Sequence, residues 1–316
     1  MYIFWIVLGV AAGLILLALL TSYICFYRIF YSNPKKRCNV LEEYPTPEGK
    51  IYDPYREDMI NWIKQTRALP HKDLSVVSHD GLTLRGKFYE LTPGAPVEIM
   101  FHGYRGCAER EMSGGVFRCF KLGHSALIVD HRGSGESEGN VITFGVLESR
   151  DLEKWVECVI EKIDPKAKII LTGISMGAST VMIASAKKLP ENVVGVLADC
   201  GYTSAKEIIL KVIRDMKYPT LIYPFARLGG MIFGGFDVEE VSPMEALPHS
   251  RLPVLFFHGT TDDFVPHEMS IRNHDLCASR KMLVLVPDAG HGLAYPKDKE
   301  SYYAAVHEFF DPILNG

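Results

Sequence analysis

Apolar and polar positions divide this chain into two unlike parts. From Tyr2 to Leu20 every residue is uncharged and most are Ile, Leu, Val or Ala, and the run continues through Thr21–Tyr27 to the first charge, Arg28. At about 1.5 Å of rise per residue such a helix spans the roughly 30 Å of a bilayer's hydrocarbon. Tyr2, Trp5, Tyr23 and Tyr27 stand near its ends, where interfacial aromatics collect. No Lys or Arg precedes the run, which also exceeds the apolar core of a signal peptide. Residues 1–30 are therefore expected to form a transmembrane anchor, embedded through residues 2–27. Arg28, Lys35, Lys36 and Arg37 follow the span and none precedes it, which places the downstream domain in the cytoplasm. Residues 31–70 carry Pro34, Pro45, Pro47 and Pro54 and little periodicity, and read as a linker and N-terminal extension.

Beyond residue 70 the pattern changes. Leu74–Val77 and Leu82–Tyr89 flank His79-Asp80-Gly81, a hairpin signal. Short, mostly apolar runs then recur at Val97–Phe101, Ala126–Val129, Lys168–Leu171, Val193–Leu197, Val254–Phe257 and Met282–Val286. Stretches of helical period lie between them. Leu152, Trp155, Val156, Val159, Ile160 and Ile163 form one such stripe, and Ile208, Ile209, Val212, Ile213 and Met216 another. Strands apolar on both faces, alternating with helices, predict an α/β fold with a doubly wound, mostly parallel sheet over 71–316. Ligands of such sheets bind beyond the carboxyl ends of the strands, so the residues after each run are the ones to inspect.

After Lys168–Leu171 comes Gly173-Ile174-Ser175-Met176-Gly177, a GxSxG at a strand-to-helix step. Its glycines permit the sharp turn that lifts a serine hydroxyl above the sheet. A second match, Gly135-Glu136-Ser137-Glu138-Gly139, sits in a polar loop between two glutamates, whose charge opposes an oxyanion, and is rejected. A serine needs a base; His291, in Asp288-Ala289-Gly290-His291-Gly292, follows the last apolar run. The base needs a carboxylate, and His258-Gly259-Thr260-Thr261-Asp262-Asp263 follows the run before and offers two. Backbone donors for an oxyanion are expected from Met176, next after the serine, and from Tyr104 in Phe101-His102-Gly103-Tyr104. His102 reads as a structural histidine of that loop.

These segments, with Asp130-His131-Arg132-Gly133-Ser134-Gly135-Glu136-Ser137, resemble the α/β-hydrolase superfamily, in the bacterial branch of lipase/esterase-like or serine-aminopeptidase-like serine hydrolases. The resemblance covers roughly Ser75 to Phe310. It implies an eight-stranded sheet with a helical lid after strand six, here 201–253. It also implies Ser175 as nucleophile, His291 as base and Asp262, at the HGxxD position, as acid. Asp-x-Arg-Gly is implied to be structural. The Gly-Gly-Ser-x-Gly of proline iminopeptidases is absent.

Composition narrows the class. With 316 residues, 47% apolar, and 34 basic against 38 acidic side chains for a net charge of −4, the chain is globular and shows no nucleic-acid footprint. Seven cysteines, an odd number without CxxC or zinc spacing, read as free thiols in a reducing compartment; no metal or other cofactor is called for. Apolar residues of the lid, Tyr223, Phe225, Met231 and Phe233 among them, with paired glycines nearby, fit a mobile cap over an acyl pocket. The expectation is a membrane-anchored serine hydrolase of carboxylic esters with an apolar, lipid-like acyl group. A peptidase or thioesterase with the same triad, and a non-catalytic tethered binding protein, are the alternatives. Nothing in the sequence fixes an oligomeric state.

Overall fold

The computed structural model describes residues 1–38 and 44–316. One sheet has the order β1-β2-β4-β3-β5-β6-β7-β8. Its strands are β1 (Lys72–Val77), β2 (Thr83–Tyr89), β3 (Val97–Phe101), β4 (Ser125–Val129), β5 (Ile169–Ile174), β6 (Val193–Asp199), β7 (Val254–Gly259) and β8 (Lys281–Val286). β1 and β2 form the expected antiparallel hairpin, β2 runs antiparallel to β4, and the strands from β4 to β8 are mutually parallel.

The continuous apolar runs have a physical reason: both faces of the central strands are covered. Ile99, Leu171, Val196 and Phe256 pack in one core with Trp155 and Val156 of α4 (Glu148–Lys162). Their neighbours Ile170, Leu197, Leu255 and Phe257 face Tyr302, Val306 and Phe309 of α11 (Lys299–Leu314). The remaining helices are α1 (Tyr2–Ile29), α2 (Arg56–Ala68), α3 (Ala108–Lys121), α5 (Met176–Ala184), α6 (Ala205–Asp215), α7 (Tyr223–Gly229), α8 (Pro243–Ala246), α9 (Glu268–Leu276) and α10 (Ala294–Lys297).

Three expectations change. The stretch read as a linker contains α2, whose Ile63 and Thr66 are fully buried and whose Trp62 lies against Gly114 of α3, where a Cβ would come within 2.6 Å. Residues 39–43 of that stretch lie outside the described residues. Of the seven cysteines, Cys38 and Cys107 are paired in a disulfide across a Cα–Cα distance of 5.8 Å, and the other five are free and buried. Sixty-nine positions separate the pair, so local spacing carries no trace of it. Finally, the insertion after β6 folds against α1 instead of over the serine. Gly229 meets Ser22 and Phe26 so closely that a Cβ there would lie 2.3 Å from the Ser22 carbonyl oxygen.

α1 is 28 residues long, and the most apolar part of it is bare of protein contact, long and apolar enough to cross a membrane. Its last turns are different: Ser22, Cys25, Phe26 and Phe30 are buried. Phe26 and Phe30 share a core with Ile208, Ile209 and Phe236 of the insertion.

Candidate active site

Ser175 stands between β5 and α5 with φ of 55° and ψ of −114°, a strained conformation for a residue with a Cβ. The packing that enforces it is glycine-dependent. A Cβ on Gly173 would lie 2.2 Å from the Gly177 carbonyl, and one on Gly177 would lie 2.0 Å from the Phe101 carbonyl oxygen. The Ser175 N–H donates to the Asp199 carbonyl at 2.8 Å, tying the turn to β6.

The Ser175 hydroxyl is 3.0 Å from His291 Nε2, and His291 Nδ1 is 2.7 Å from Asp262 Oδ2. The side chain of Asp262 is fully buried and every oxygen is used. Oδ1 accepts from the N–H groups of Phe264 and Val265, and Oδ2 accepts also from His258 Nε2 at 3.1 Å. With four donors on the ionised form, Asp262 is held well below the usual carboxylate range despite its burial. Asp263 is exposed. The His291 turn is fastened by Tyr52, whose hydroxyl donates to the His291 carbonyl at 3.1 Å, and by Thr261 on the Ala289 carbonyl at 3.0 Å.

Gly103 abuts Ser175, and its N–H donates to Glu111 Oε2 at 2.6 Å. Tyr104 follows in the same cavity. Met176 opens α5, where a helix leaves its first N–H groups without intrahelical acceptors. His102 Nε2 accepts the N–H of His131, a structural task. Ser137 of the rejected GxSxG is likewise structural: its hydroxyl donates to the Asp130 carbonyl and accepts from the Arg85 N–H. Asp130 accepts from the N–H groups of Ala108 and Glu136, and Arg132 is forked onto Asp80 and Asp151.

The cavity reaching Ser175 and His291 has a volume of about 940 Å³. Met59 and Trp62 of α2, Met100, Met112 of α3, Leu197 and Tyr295 give it apolar surface, and Arg110, Glu111, Arg118, Thr172 and Asp199 give it polar surface. None of Tyr223, Phe225, Met231 and Phe233 lines it. Tyr223 is buried with its hydroxyl on Glu239, Phe233 packs against Tyr23 and Phe26 of α1, and Met231 is half-exposed. The four residues expected to line an acyl pocket therefore lie outside this cavity, and part of the insertion's apolar surface packs on α1 instead. Sequence reasoning also missed Glu111, Tyr52, His258 and Asp199. His258 lies inside the HGxxD motif; the other three carried no signal. Asp199 is buried with Oδ1 unpartnered, and burial pushes its carboxyl up to about 6.

Two side-chain groups among the described residues could take a metal ion: Cys200, Asp262 and His291, and His79, Asp80 and Asp151. In the first, Asp262 and His291 are bonded to each other; in the second, the Arg132 guanidinium is already paired with both carboxylates.

Known proteins give the context. The model of the prolyl oligopeptidase family matches residues 116–316. The Bacillus subtilis protein YqkD, itself uncharacterised, is 30% identical over 192 residues, 60% of this chain and 63% of YqkD, so the match spans a little under two thirds of that relative. The palmitoyl-protein thioesterase ABHD10 of Pongo abelii is 25% identical over 209 residues, 62% of this chain and 66% of its own. Among solved structures, the Pyrococcus furiosus esterase Pf2001 superposes with a TM-score of 0.64 at 21% identity, covering 85% of this chain and 99% of the esterase. With the family model matching well over half its length and the sheet order described above, the chain belongs to the prolyl oligopeptidase family and has the α/β-hydrolase fold.

Proposed function

We propose that the protein is a membrane-anchored serine hydrolase that cleaves carboxylic esters with an apolar acyl group. The observation that carries this reading is the unbroken hydrogen-bond path from the Ser175 hydroxyl through His291 to the saturated carboxylate of Asp262. In that arrangement His291 Nδ1–H donates to Asp262, which fixes the tautomer, and Nε2 accepts the serine proton. Ser175 Oγ attacks the acyl carbonyl, and the N–H groups of Met176 and Tyr104 receive the oxyanion. His291 returns the proton to the leaving alkoxide. Water, deprotonated in turn by His291, then releases the acid from the acyl-enzyme. The methionine and aromatic wall of the cavity supports an apolar acyl group.

A thioester substrate is the second reading, favoured by the relative described as a palmitoyl-protein thioesterase. The decisive experiment is an ester, thioester and amide panel on the full chain and on Ser175→Ala, with fluorophosphonate labelling. Hydrolysis of p-nitrophenyl esters rising with acyl length, and lost by more than about 10³-fold in Ser175→Ala, is expected. Faster turnover of dipeptide amides would replace the reading by a peptidase, and absence of Ser175-dependent labelling would leave a tethered binding protein. The basic residues after α1 support a cytoplasmic domain, whereas a Cys38–Cys107 bond belongs to an oxidising compartment. Thiol alkylation in intact cells decides between them: labelled Cys38 supports the cytoplasmic side, and a surviving disulfide places the domain outside.

A further inference from the structure

The loop after β3 carries Tyr104 and Arg105, whose side chains hydrogen-bond to the end of α1. A helix leaves its last carbonyls without intrahelical donors. Here consecutive loop residues supply them. The Tyr104 hydroxyl donates to the Ile29 carbonyl at 2.6 Å, and Arg105 Nη2 donates to the carbonyls of Arg28 at 2.8 Å and Tyr31 at 3.2 Å. Arg105 takes a φ of 55° to do so, a conformation that persists only where its surroundings over-determine it. Burial pushes the Tyr104 hydroxyl up to about 12, so it stays a donor.

Packing secures the Tyr104 half of this contact, while Arg105 is exposed. The Tyr104 ring lies 5.0 Å from that of Phe144, which meets Phe30 of the α1 exit edge-on at 5.8 Å. The chain leaving α1 is stitched to the loop after β4: Ile142 N–H donates to the Phe30 carbonyl at 2.8 Å, and Ser32 N–H to the Asn140 carbonyl at 2.8 Å. On the opposite side of Tyr104 the Gly103 N–H is fixed by Glu111. The oxyanion loop is thus clamped between Glu111 and the end of α1, and Met176 lies in the same core as Phe26 and Phe30.

We infer that the C-terminal end of α1 is a working part of the active site: by accepting from Tyr104 and Arg105 it positions the loop backbone that stabilises the oxyanion. The inference rests on the serine-hydrolase reading and assigns the Tyr104 hydroxyl and Arg105 as positioning groups, with α1 as their support. An oxyanion donor displaced by a fraction of an ångström loses transition-state stabilisation while ground-state binding is kept.

The test uses the full chain in nanodiscs, with active sites counted by fluorophosphonate. Tyr104→Phe keeps the ring and the backbone N–H. It is expected to lower kcat on p-nitrophenyl butyrate about 10- to 100-fold with KM within about twofold, and to weaken a trifluoromethyl ketone, which mimics the tetrahedral intermediate, by the same factor as kcat/KM falls. Arg105→Gln is expected to lose kcat in the same direction and Arg105→Lys to recover part of it. A merely structural contact would change the active fraction and leave kcat per active site and the ketone's Ki unmoved. That result in a wild type that labels at Ser175 overturns the inference, and Arg105→Gln carries the test if Tyr104→Phe does not fold. A wild type that neither labels nor hydrolyses esters refutes the underlying reading, and the inference falls with it.

Discussion

At the scale of single residues, the side chains that were legible are those whose neighbours in sequence reveal their task. Gly173 and Gly177 are read correctly because a Cβ at either would overlap backbone, and Asp262 is separated from Asp263 by the HGxxD pattern and, in the structure, by burial. Glu111 and Asp199 were illegible because an acid on a helix or at a strand end looks like any solvated carboxylate until the fold buries it. Asp199 is the one whose burial has a measurable consequence. In the unfolded chain it titrates near 3.9; in the folded protein burial, the largest cause, raises it to about 6. The folded state therefore holds this proton more tightly, and the contribution to stability is full below about pH 4 and lost as pH rises through about 6. Asp199→Asn is expected to be more stable than wild type at pH 8 by about 2–3 kcal/mol, with the advantage fading by pH 4. Urea midpoints at the two pH values measure it. A difference between the proteins that does not change with pH would show that Asp199 titrates as it does in the unfolded chain.

At the scale of elements, the strands were legible because helices cover both faces of the sheet, so each central strand had to be apolar throughout. α2 was missed because Met59, Trp62 and Ile63 are interleaved with charged and polar residues and preceded by Pro54. The insertion after β6 was located, but its partner was not: an apolar side chain does not say which apolar surface it covers. The docking of α1 on α7 depends on Gly229, where a Cβ would lie 2.3 Å from the Ser22 carbonyl oxygen and 3.1 Å from Phe26 Cβ. Gly229→Ala is expected to cost about 1–3 kcal/mol and to speed hydrogen exchange at the amides of residues 24–31. Gly9→Ala, whose Cβ meets nothing within 4 Å, is expected to leave both unchanged. Equal exchange in the two variants would mean that the α1–α7 seam has slack the structure does not show.

At the scale of the whole molecule, α1 has two unlike parts, the proposed anchor and the docked last turns. Residues 2–21 give about 30 Å at 1.5 Å per residue, the thickness of a bilayer's hydrocarbon, while Ser22, Cys25, Phe26 and Phe30 recur on one helical face and are buried in the domain. The sequence hid this division because the opposite face, Tyr23, Ile24 and Tyr27, is apolar too, so no amphipathic pattern marks where the bare span ends and the docked turns begin. Two truncations separate the parts. A chain starting at residue 20 keeps the docked turns and is expected to leave the membrane fraction yet hydrolyse esters within about threefold of wild type, since the clamp on Tyr104 and Arg105 is intact. A chain starting at residue 32 loses Phe26 and Phe30 from the core they share with Met176 and Phe236. Removal of buried phenylalanines costs about 3–5 kcal/mol each, and in a chain of this size each kcal/mol lowers Tm by about 2–4 °C. A fall in Tm of more than about 10 °C, with kcat per active site reduced at least tenfold, is therefore expected of the shorter form. If both truncated forms are equally active and equally stable, α1 is a tether and nothing more.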